Sequence, residues 1–250
     1  MAKVLLIAPT CDGEDVGEAW VAHQWAHHLS QQHEVTLLTY HKRGATPAAR
    51  QLTGLRIVEW TEPPLLGRAE RLNSILKPGY VPFYRRARRW IKRALAAGET
   101  FDVIHQPTPV ALRYPSPGAR LGVPLVIGPV GGGLRSPAGF ADDEEGAPRF
   151  MRLRDLDRLR FRFDPLLRRS LMDADCVVGI ADYVRDVLAD VPLRRFVPLA
   201  ETAMEAIPDP VVREPGPVLR LVFVGRLVRT KGTRDLLRAV AQLPAELPVH

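Results

Sequence analysis

Short apolar runs alternate with stretches of helical periodicity along the first part of the chain. Residues 3–9 form an apolar run, and residues 18–31 carry apolar side chains at the intervals of a helix. Residues 34–40 (EVTLLTY) and 55–60 (LRIVEW) are rich in branched residues, which is typical of strands. This order of strand, helix and strand predicts a parallel sheet with helices on both faces.

The alternation continues through the middle of the chain. FDVIHQP, PLVIGPV and DADCVVGIA have the composition of further strands, and FYRRARRWIKRALAAG has the periodicity of a helix. Further helices are predicted over residues 150–172 and 182–188. The fold class is therefore predicted to be α/β, with a doubly wound, Rossmann-like parallel sheet.

A proline-rich segment marks a predicted domain boundary. Residues 207–218 (IPDPVVREPGPV) contain four prolines and a glycine, which is typical of a linker. We predict an N-terminal domain of residues 1–212. Residues 213–250 are predicted to contain the linker and the first strand (LRLVFVG) and helix of a second Rossmann-like domain. Because one strand and one helix cannot bury their own apolar face, we expect a piece of a longer protein rather than a tail packed on the first domain.

The composition excludes several classes of protein. With 46% hydrophobic and 25% charged residues it is typical of a soluble globular protein, and no apolar run approaches the roughly 18 residues of a membrane span. MAKVLLIAP is followed by CDGED instead of a cleavage site, so we interpret it as a buried strand. Cys11 and Cys176 have no metal or disulfide spacing. We therefore expect a cytoplasmic protein.

The formal net charge of +7 indicates anionic partners, because part of the charge is clustered. One predicted helix combines cations with a tryptophan, as surfaces for anionic membranes do. The alternative is an apolar stripe that faces the core, with a solvated back. Nucleic acid is not expected as a partner, because no recognition-helix signature, aromatic stacking platform or zinc spacing is present. The residues of the candidate membrane surface are Arg85, Arg86, Arg89, Trp90 and Arg93.

Candidate ligand-binding residues follow the predicted strands, because doubly wound sheets bind ligands at the carboxyl ends of their strands. Gly17 precedes the first helix, and His105 follows FDVI. The triplet Gly131, Gly132 and Gly133 follows PLVIGPV and would form either a nest of backbone N–H groups or a flexible turn. The dinucleotide fingerprint and the Walker A motif are both absent from the sequence.

A candidate phosphate site lies in FVGRLVRTKGTRDLLRAVAQL, where a predicted strand ends at Gly225 and a predicted helix begins near Thr233. Backbone N–H groups at the start of a helix attract anions, and Arg226 and Lys231 flank the turn. The alternative is a solvated turn with two surface cations.

The string VFVGRLVRTKGTRDLLRA resembles the start of the donor-binding domain of GT-B glycosyltransferases of the retaining family 4 type. The resemblance implies that Arg226 and Lys231 contact the diphosphate of a nucleotide-sugar donor. HQPTPVALRYPSPGARLGVPLVIGPVGGG resembles the subgroup with GPVGGG after the fifth strand, where most members have Thr-His-Gly. That departure leaves His105 as the candidate catalytic histidine of the region, with a structural hydrogen-bonding role as the alternative.

The resemblance implies transfer of a sugar with retention to a glycan or lipid-linked acceptor, in cell-envelope or exopolysaccharide synthesis. A nucleotide-diphosphate sugar would be the co-substrate, without a cofactor or metal, and the enzyme would be cytoplasmic or peripheral at the inner face of the membrane. Gly17 and the glycine triplet would bind substrate. The paired glutamates of the family have no counterpart here, so we expect no turnover from these residues alone. The alternative function is a non-catalytic Rossmann-like module that binds an anionic ligand or membrane surface.

Overall fold

A seven-stranded parallel sheet forms the centre of the first part of the chain. The strands are β1 (Lys3–Thr10), β2 (Glu34–His41), β3 (Arg56–Thr61), β4 (Val103–Gln106), β5 (Leu125–Val130), β6 (Cys176–Gly179) and β7 (Phe196–Pro198). The strand order is β3-β2-β1-β4-β5-β6-β7, and every neighbouring pair is parallel. The order reverses between β1 and β4, which creates a crevice at their carboxyl ends. The predicted doubly wound α/β fold is confirmed.

This computed structural model describes residues 1–63, 79–134, 163–202, 209–211, 216–225, 227, 231–244 and 246–248. They fall into two units, the first with the described residues up to 202 and the second with those from 209 onward. The predicted boundary at residue 213 lies outside the described residues and stays a prediction. The helices of the first unit are α1 (Glu18–Ser30), α2 (Ala48–Gln51), α3 (Tyr80–Ala96), α4 (Pro165–Asp173) and α5 (Tyr183–Val187).

The central strand β1 is buried on both faces, because successive side chains of a strand point to opposite sides. Leu5 and Ile7 belong to the core that also contains Phe83 and Ile91 of α3. Leu6 belongs to a second core, with residues of α1 and β2. Burial on both sides explains why this strand reads as a continuous apolar run rather than an alternating one.

Helix α3 packs on the sheet through Phe83, Ala87, Ile91 and Ala94, whose spacing of three and four residues forms one helical face. The sequence left open whether this helix has an apolar stripe that faces the core, and the structure shows that it does. The cations Arg85, Arg86, Arg89, Lys92 and Arg93 are exposed on the remaining surface of the helix.

The second unit contains the predicted helix, α6 (Thr233–Val240), but the predicted strand LRLVFVG is not formed along its length. Leu219 donates its backbone N–H to Pro248 O at 2.9 Å, while residues 220–225 have no strand assignment. Val222 and Val224 are 81% and 91% exposed. A parallel strand needs neighbours to complete its backbone hydrogen bonds, and the described part of this unit supplies only this contact at Leu219.

Candidate functional site

Gly17 lies where the sequence places it, at the start of the helix that follows β1. It is the N-cap of α1 and has φ 68° and ψ −134°, a left-handed conformation that favours glycine. Its carbonyl accepts the first helical hydrogen bond, from Val21 N at 3.0 Å. The residue is exposed at the carboxyl edge of the sheet, and its predicted role in substrate binding stays a prediction.

The loop that precedes Gly17 is held by the side-chain amide of Gln51, a residue that the sequence analysis missed. Gly13 N donates to Gln51 Oε1 at 2.6 Å. Gln51 Nε2 donates to Asp12 Oδ1 at 2.9 Å and to Thr46 O at 2.8 Å. The pattern that could have revealed it is weak, since it is one glutamine in a four-residue helix with no local motif.

His105 is at the carboxyl end of β4 and is 7% exposed. Its Nε2 lies 2.7 Å from Gly128 O, and because a carbonyl only accepts, Nε2 carries the proton. The Trp25 ring contacts His105 edge-on, with ring centroids 4.8 Å apart. Burial lowers the pKa of His105 to about 4, although the bond to Gly128 opposes this shift. His105 is therefore neutral at pH 7, and its observed contacts are structural.

The glycine triplet differs from the expected nest of free N–H groups. Gly131 N donates to Val110 O at 2.7 Å, and Gly132 N donates to the Tyr183 hydroxyl at 3.2 Å. A Cβ on Gly131 would lie 2.4 Å from Ile180 Cδ1, so a larger residue here would require the Ile180 side chain to shift. The nest prediction is wrong for these two amides because protein groups already satisfy them. Substrate binding by the triplet stays a prediction.

Two buried polar atoms beside His105 have no hydrogen-bond partner among the described residues. They are Gln106 Oε1 and Thr108 Oγ1, in residues that are 2% and 1% exposed. The amide nitrogen of Gln106 does have a partner, the Tyr80 hydroxyl at 3.2 Å. A buried polar atom without a partner costs about 1–3 kcal/mol, so these two side chains are less than fully satisfied.

Trp25 connects α1 with the chain that follows β7. Its indole Nε1 donates to Glu201 O at 3.3 Å, and its ring also contacts His105. Partial burial, together with the nearby Glu18 carboxylate, raises the pKa of Glu201. Trp25 therefore joins the end of the first unit to the histidine that supports Gly128.

The predicted phosphate site is described only in part. Arg226 lies outside the described residues, so its predicted contact stays a prediction. Lys231 is exposed and precedes Gly232, which has φ 77° and is the N-cap of α6. The position of Lys231 just before a helix start agrees with the sequence pattern.

The candidate membrane surface on α3 is partly occupied by intramolecular contacts. The Arg86 guanidinium lies 5.3 Å from the centroid of the Trp60 ring. Trp90 is half-buried, with the Arg56 guanidinium 5.4 Å from its ring centroid and Phe101 at 6.5 Å. In the described part of the chain, no helix is both long and apolar enough to span a bilayer.

A sequence profile of the family described as Glycosyltransferase Family 4 matches residues 17–198. The chain therefore belongs to glycosyltransferase family 4. The match covers Gly17 and the helix that follows it, strands β2 to β7, His105 and the glycine triplet, and it begins after β1.

Two solved structures are similar to the chain at low identity. One is described as a complex between a UDP-glucosyltransferase from Polygonum tinctorium, capable of glucosylating indoxyl, and 3,4-dichloroaniline. It has 15% identity and a TM-score of 0.47, and the similarity covers 89% of this chain and 59% of that one. The other is a ugt transferase from Siraitia grosvenorii in complex with UDP, with 12% identity, a TM-score of 0.41 and coverage of 97% and 56%. The chain thus spans less than two thirds of either structure. No curated protein matches it.

Proposed function

We propose that this chain is the acceptor-side part of a GT-B glycosyltransferase that uses a nucleotide-diphosphate sugar and retains the anomeric configuration. The observation that carries the proposal is the family match over residues 17–198, which contains six of the seven strands of a sheet whose order reverses between β1 and β4. A crevice at such a reversal is the usual ligand site of a doubly wound sheet. Donor binding would be completed by residues of the second domain.

The proposed role of Arg226 and Lys231 is to stabilise the departing diphosphate. Negative charge grows on this leaving group as the glycosidic bond breaks, and fixed cations are most effective where charge develops. They would serve in place of a metal ion. The acceptor hydroxyl would attack on the face from which the diphosphate leaves, within the crevice beside Gly17 and the glycine triplet. Closure would use the 207–218 linker as a hinge.

A donor panel tests the proposal directly. Full-length protein is mixed with a set of nucleotide sugars, and thermal stabilisation and sugar transfer are both measured. We expect one donor to raise the melting temperature and to support transfer, and K231Q and R226Q to lower kcat/KM about a hundredfold. R220Q, a change at an exposed arginine of the same unit, is the matched control and should change kcat/KM less than about twofold. Anion binding without transfer from any donor would instead favour the non-catalytic module.

The second proposal is peripheral binding to an anionic membrane, which would place the enzyme at the inner face near a lipid-linked acceptor of envelope synthesis. It is supported by Arg85, Arg89, Lys92 and Arg93, which are exposed on one helix. Because Trp90 is packed against Phe101, the attraction would be mainly electrostatic.

Vesicle co-sedimentation tests the membrane proposal. The quadruple change of these cations to glutamine should abolish pelleting with anionic vesicles, and 0.5 M salt should do the same, as screening requires. A quadruple glutamine variant at the exposed cations Arg43, Arg50, Arg195 and Arg220 is the control with equal loss of charge. Equal pelleting of the wild type with neutral and anionic vesicles would exclude this proposal.

A further inference from the structure

The side chain of Gln51 joins two loops at the carboxyl edge of the sheet. One is the β1–α1 loop, residues 11–17, and the other is the β2–α2 loop, residues 42–47. Three hydrogen bonds of 2.6–2.9 Å connect the Gln51 amide to Gly13, Asp12 and Thr46. The two partners in the β1–α1 loop are 38 and 39 residues away in sequence, so this contact is tertiary.

These hydrogen bonds need both the carbonyl oxygen and the nitrogen of a side-chain amide. The Oε1 atom accepts from a backbone N–H, while Nε2 donates to a carboxylate and to a backbone carbonyl. Glutamate would keep the acceptor but lose both donors, and it would place a second carboxylate beside Asp12. Alanine would remove all three bonds. Glutamine is therefore required by hydrogen-bonding chemistry at this position.

Further contacts around Gln51 hold the same loops. Thr46 Oγ1 donates to Glu14 Oε2 at 2.7 Å, and Lys42 Nζ lies 3.8 Å from Asp15 Oδ2. Both of these contacts are more exposed than the amide bonds of Gln51, so they contribute less to the loop's stability. On the opposite side, the ring of His23 packs against Gly13 so closely that a Cβ there would lie 2.9 Å from His23 Nε2.

A small cavity of about 20 Å³ lies beneath these loops, at the ends of β1 and β2. Its lining includes Thr10, Asp12, Tyr40 and Thr46. The β1–α1 loop follows β1, one of the two strands between which the strand order reverses, and the proposed function places the acceptor at that reversal beside Gly17. Polar groups that bind hydroxyl groups act only when their positions are fixed.

We propose that Gln51 is a positioning residue for the acceptor. Its amide fixes residues 11–17 in the conformation that receives the acceptor's hydroxyl groups, and Gln51 itself does not touch the substrate. The inference rests on the proposed glycosyl transfer. It assigns to Gln51 an effect on acceptor KM through the loop, with little effect on kcat once acceptor is bound.

The first experiment measures loop rigidity in the protein without substrate. Amide hydrogen exchange is followed in peptides that cover residues 11–17 for the wild type, Q51A and the exposed-glutamine control Q32A. We expect Q51A to exchange at least about tenfold faster in this segment, because Gly13 N loses its partner. Q32A should match the wild type. Unchanged exchange in Q51A would show that the Gln51 hydrogen bonds do not hold this loop. The exchange rate does not depend on any enzymatic activity.

The second experiment measures acceptor kinetics with full-length protein. Q51A is expected to raise acceptor KM about tenfold, while kcat and donor KM change less than about twofold. Q51E should also raise acceptor KM, because an ionised carboxylate loses both donors and repels the Asp12 carboxylate. A melting temperature close to that of the wild type confirms that each variant is folded.

The results of the two experiments distinguish the positioning role of Gln51 from the proposed glycosyl transfer. Faster exchange in Q51A with an unchanged acceptor KM would overturn the positioning role while leaving glycosyl transfer intact. An equal loss of kcat in Q51A and Q51E would also overturn it, because that pattern indicates general disruption. Absence of transfer by the wild type with any donor would overturn the proposed function and this role together, whatever the exchange data show.

Discussion

The imidazole of His105 donates its Nε2 hydrogen to the carbonyl oxygen of Gly128 across 2.7 Å, between the ends of two neighbouring strands. This bond fixes one tautomer of a buried ring. It also fixes the backbone that leads into the glycine triplet. The histidine that the family resemblance nominates for catalysis is thus engaged in holding β4 to β5.

The first prediction concerns pH and folding stability. The pKa of His105 is lowered from 6.5 to about 4, so below pH 6.5 the unfolded chain binds a proton that the folded protein does not. This contribution to stability is complete above pH 6.5 and is lost as the pH falls towards 4. Between pH 7 and pH 5 we expect a loss of about 2 kcal/mol from this group.

Urea unfolding at both pH values measures the effect. H105Q keeps a donor near the position of Nε2 but does not titrate, so its stability should change by about 2 kcal/mol less over the same interval. H28Q, a change at an exposed histidine, is the control and should behave like the wild type. Identical pH dependence in H105Q and the wild type would show that His105 does not titrate abnormally.

The second prediction concerns Gly128, which has φ 118°. A Cβ at this position would lie 2.1 Å from Val178 O, a backbone atom of the neighbouring strand that cannot move alone. We expect G128A to lower the free energy of unfolding by more than about 3 kcal/mol, because strain and a clash combine.

Gly122 provides the matched control for Gly128. It also has a positive φ, 75°, but a Cβ there meets nothing within 4 Å. G122A should therefore cost only the conformational strain, about 1–2 kcal/mol, in the same denaturant experiment. Equal costs for the two variants would mean that the neighbouring strand yields to the added methyl group.

The third prediction concerns the two thiols. Cys11 is 5% exposed, and burial, aided by Glu59 and Asp12, raises its pKa to about 12. Cys176 is only half-buried, although burial also raises its pKa. Since the thiolate is the reactive form, Cys11 should react with a disulfide reagent at pH 8 at least about a hundredfold more slowly than Cys176.

Single-cysteine variants separate the two thiols. C176S, which retains Cys11, should show almost no labelling until denaturant is added, whereas C11S should label in the native state. Rapid native labelling of C176S would indicate that the β1–α1 loop opens readily.

The sheet was predictable because its strands are apolar runs bounded by polar loops, and Gly17 was predictable because it ends the polar loop that leads from the first strand into a helix. The roles of other residues depend on distant partners. His105 is recognisable as a strand-end histidine, but its tautomer depends on Gly128, 23 residues away. The hydrogen bonds of Gln51 to Asp12, Gly13 and Thr46 correspond to no local sequence pattern. The strand at 219–225 was predicted from composition, which does not reveal whether a neighbouring strand is present.

The position of β1 between β2 and β4 has a kinetic consequence. Lys3 of β1 pairs with Glu34 of β2, about thirty residues later in the chain. Val4 pairs with Val103 of β4, so the other edge of β1 stays unpaired until about a hundred residues have been synthesised. During synthesis, this buried strand therefore has one unpaired edge for several seconds at ordinary elongation rates. We expect slower translation of residues 34–103 to lengthen the interval in which that edge can pair with a wrong strand.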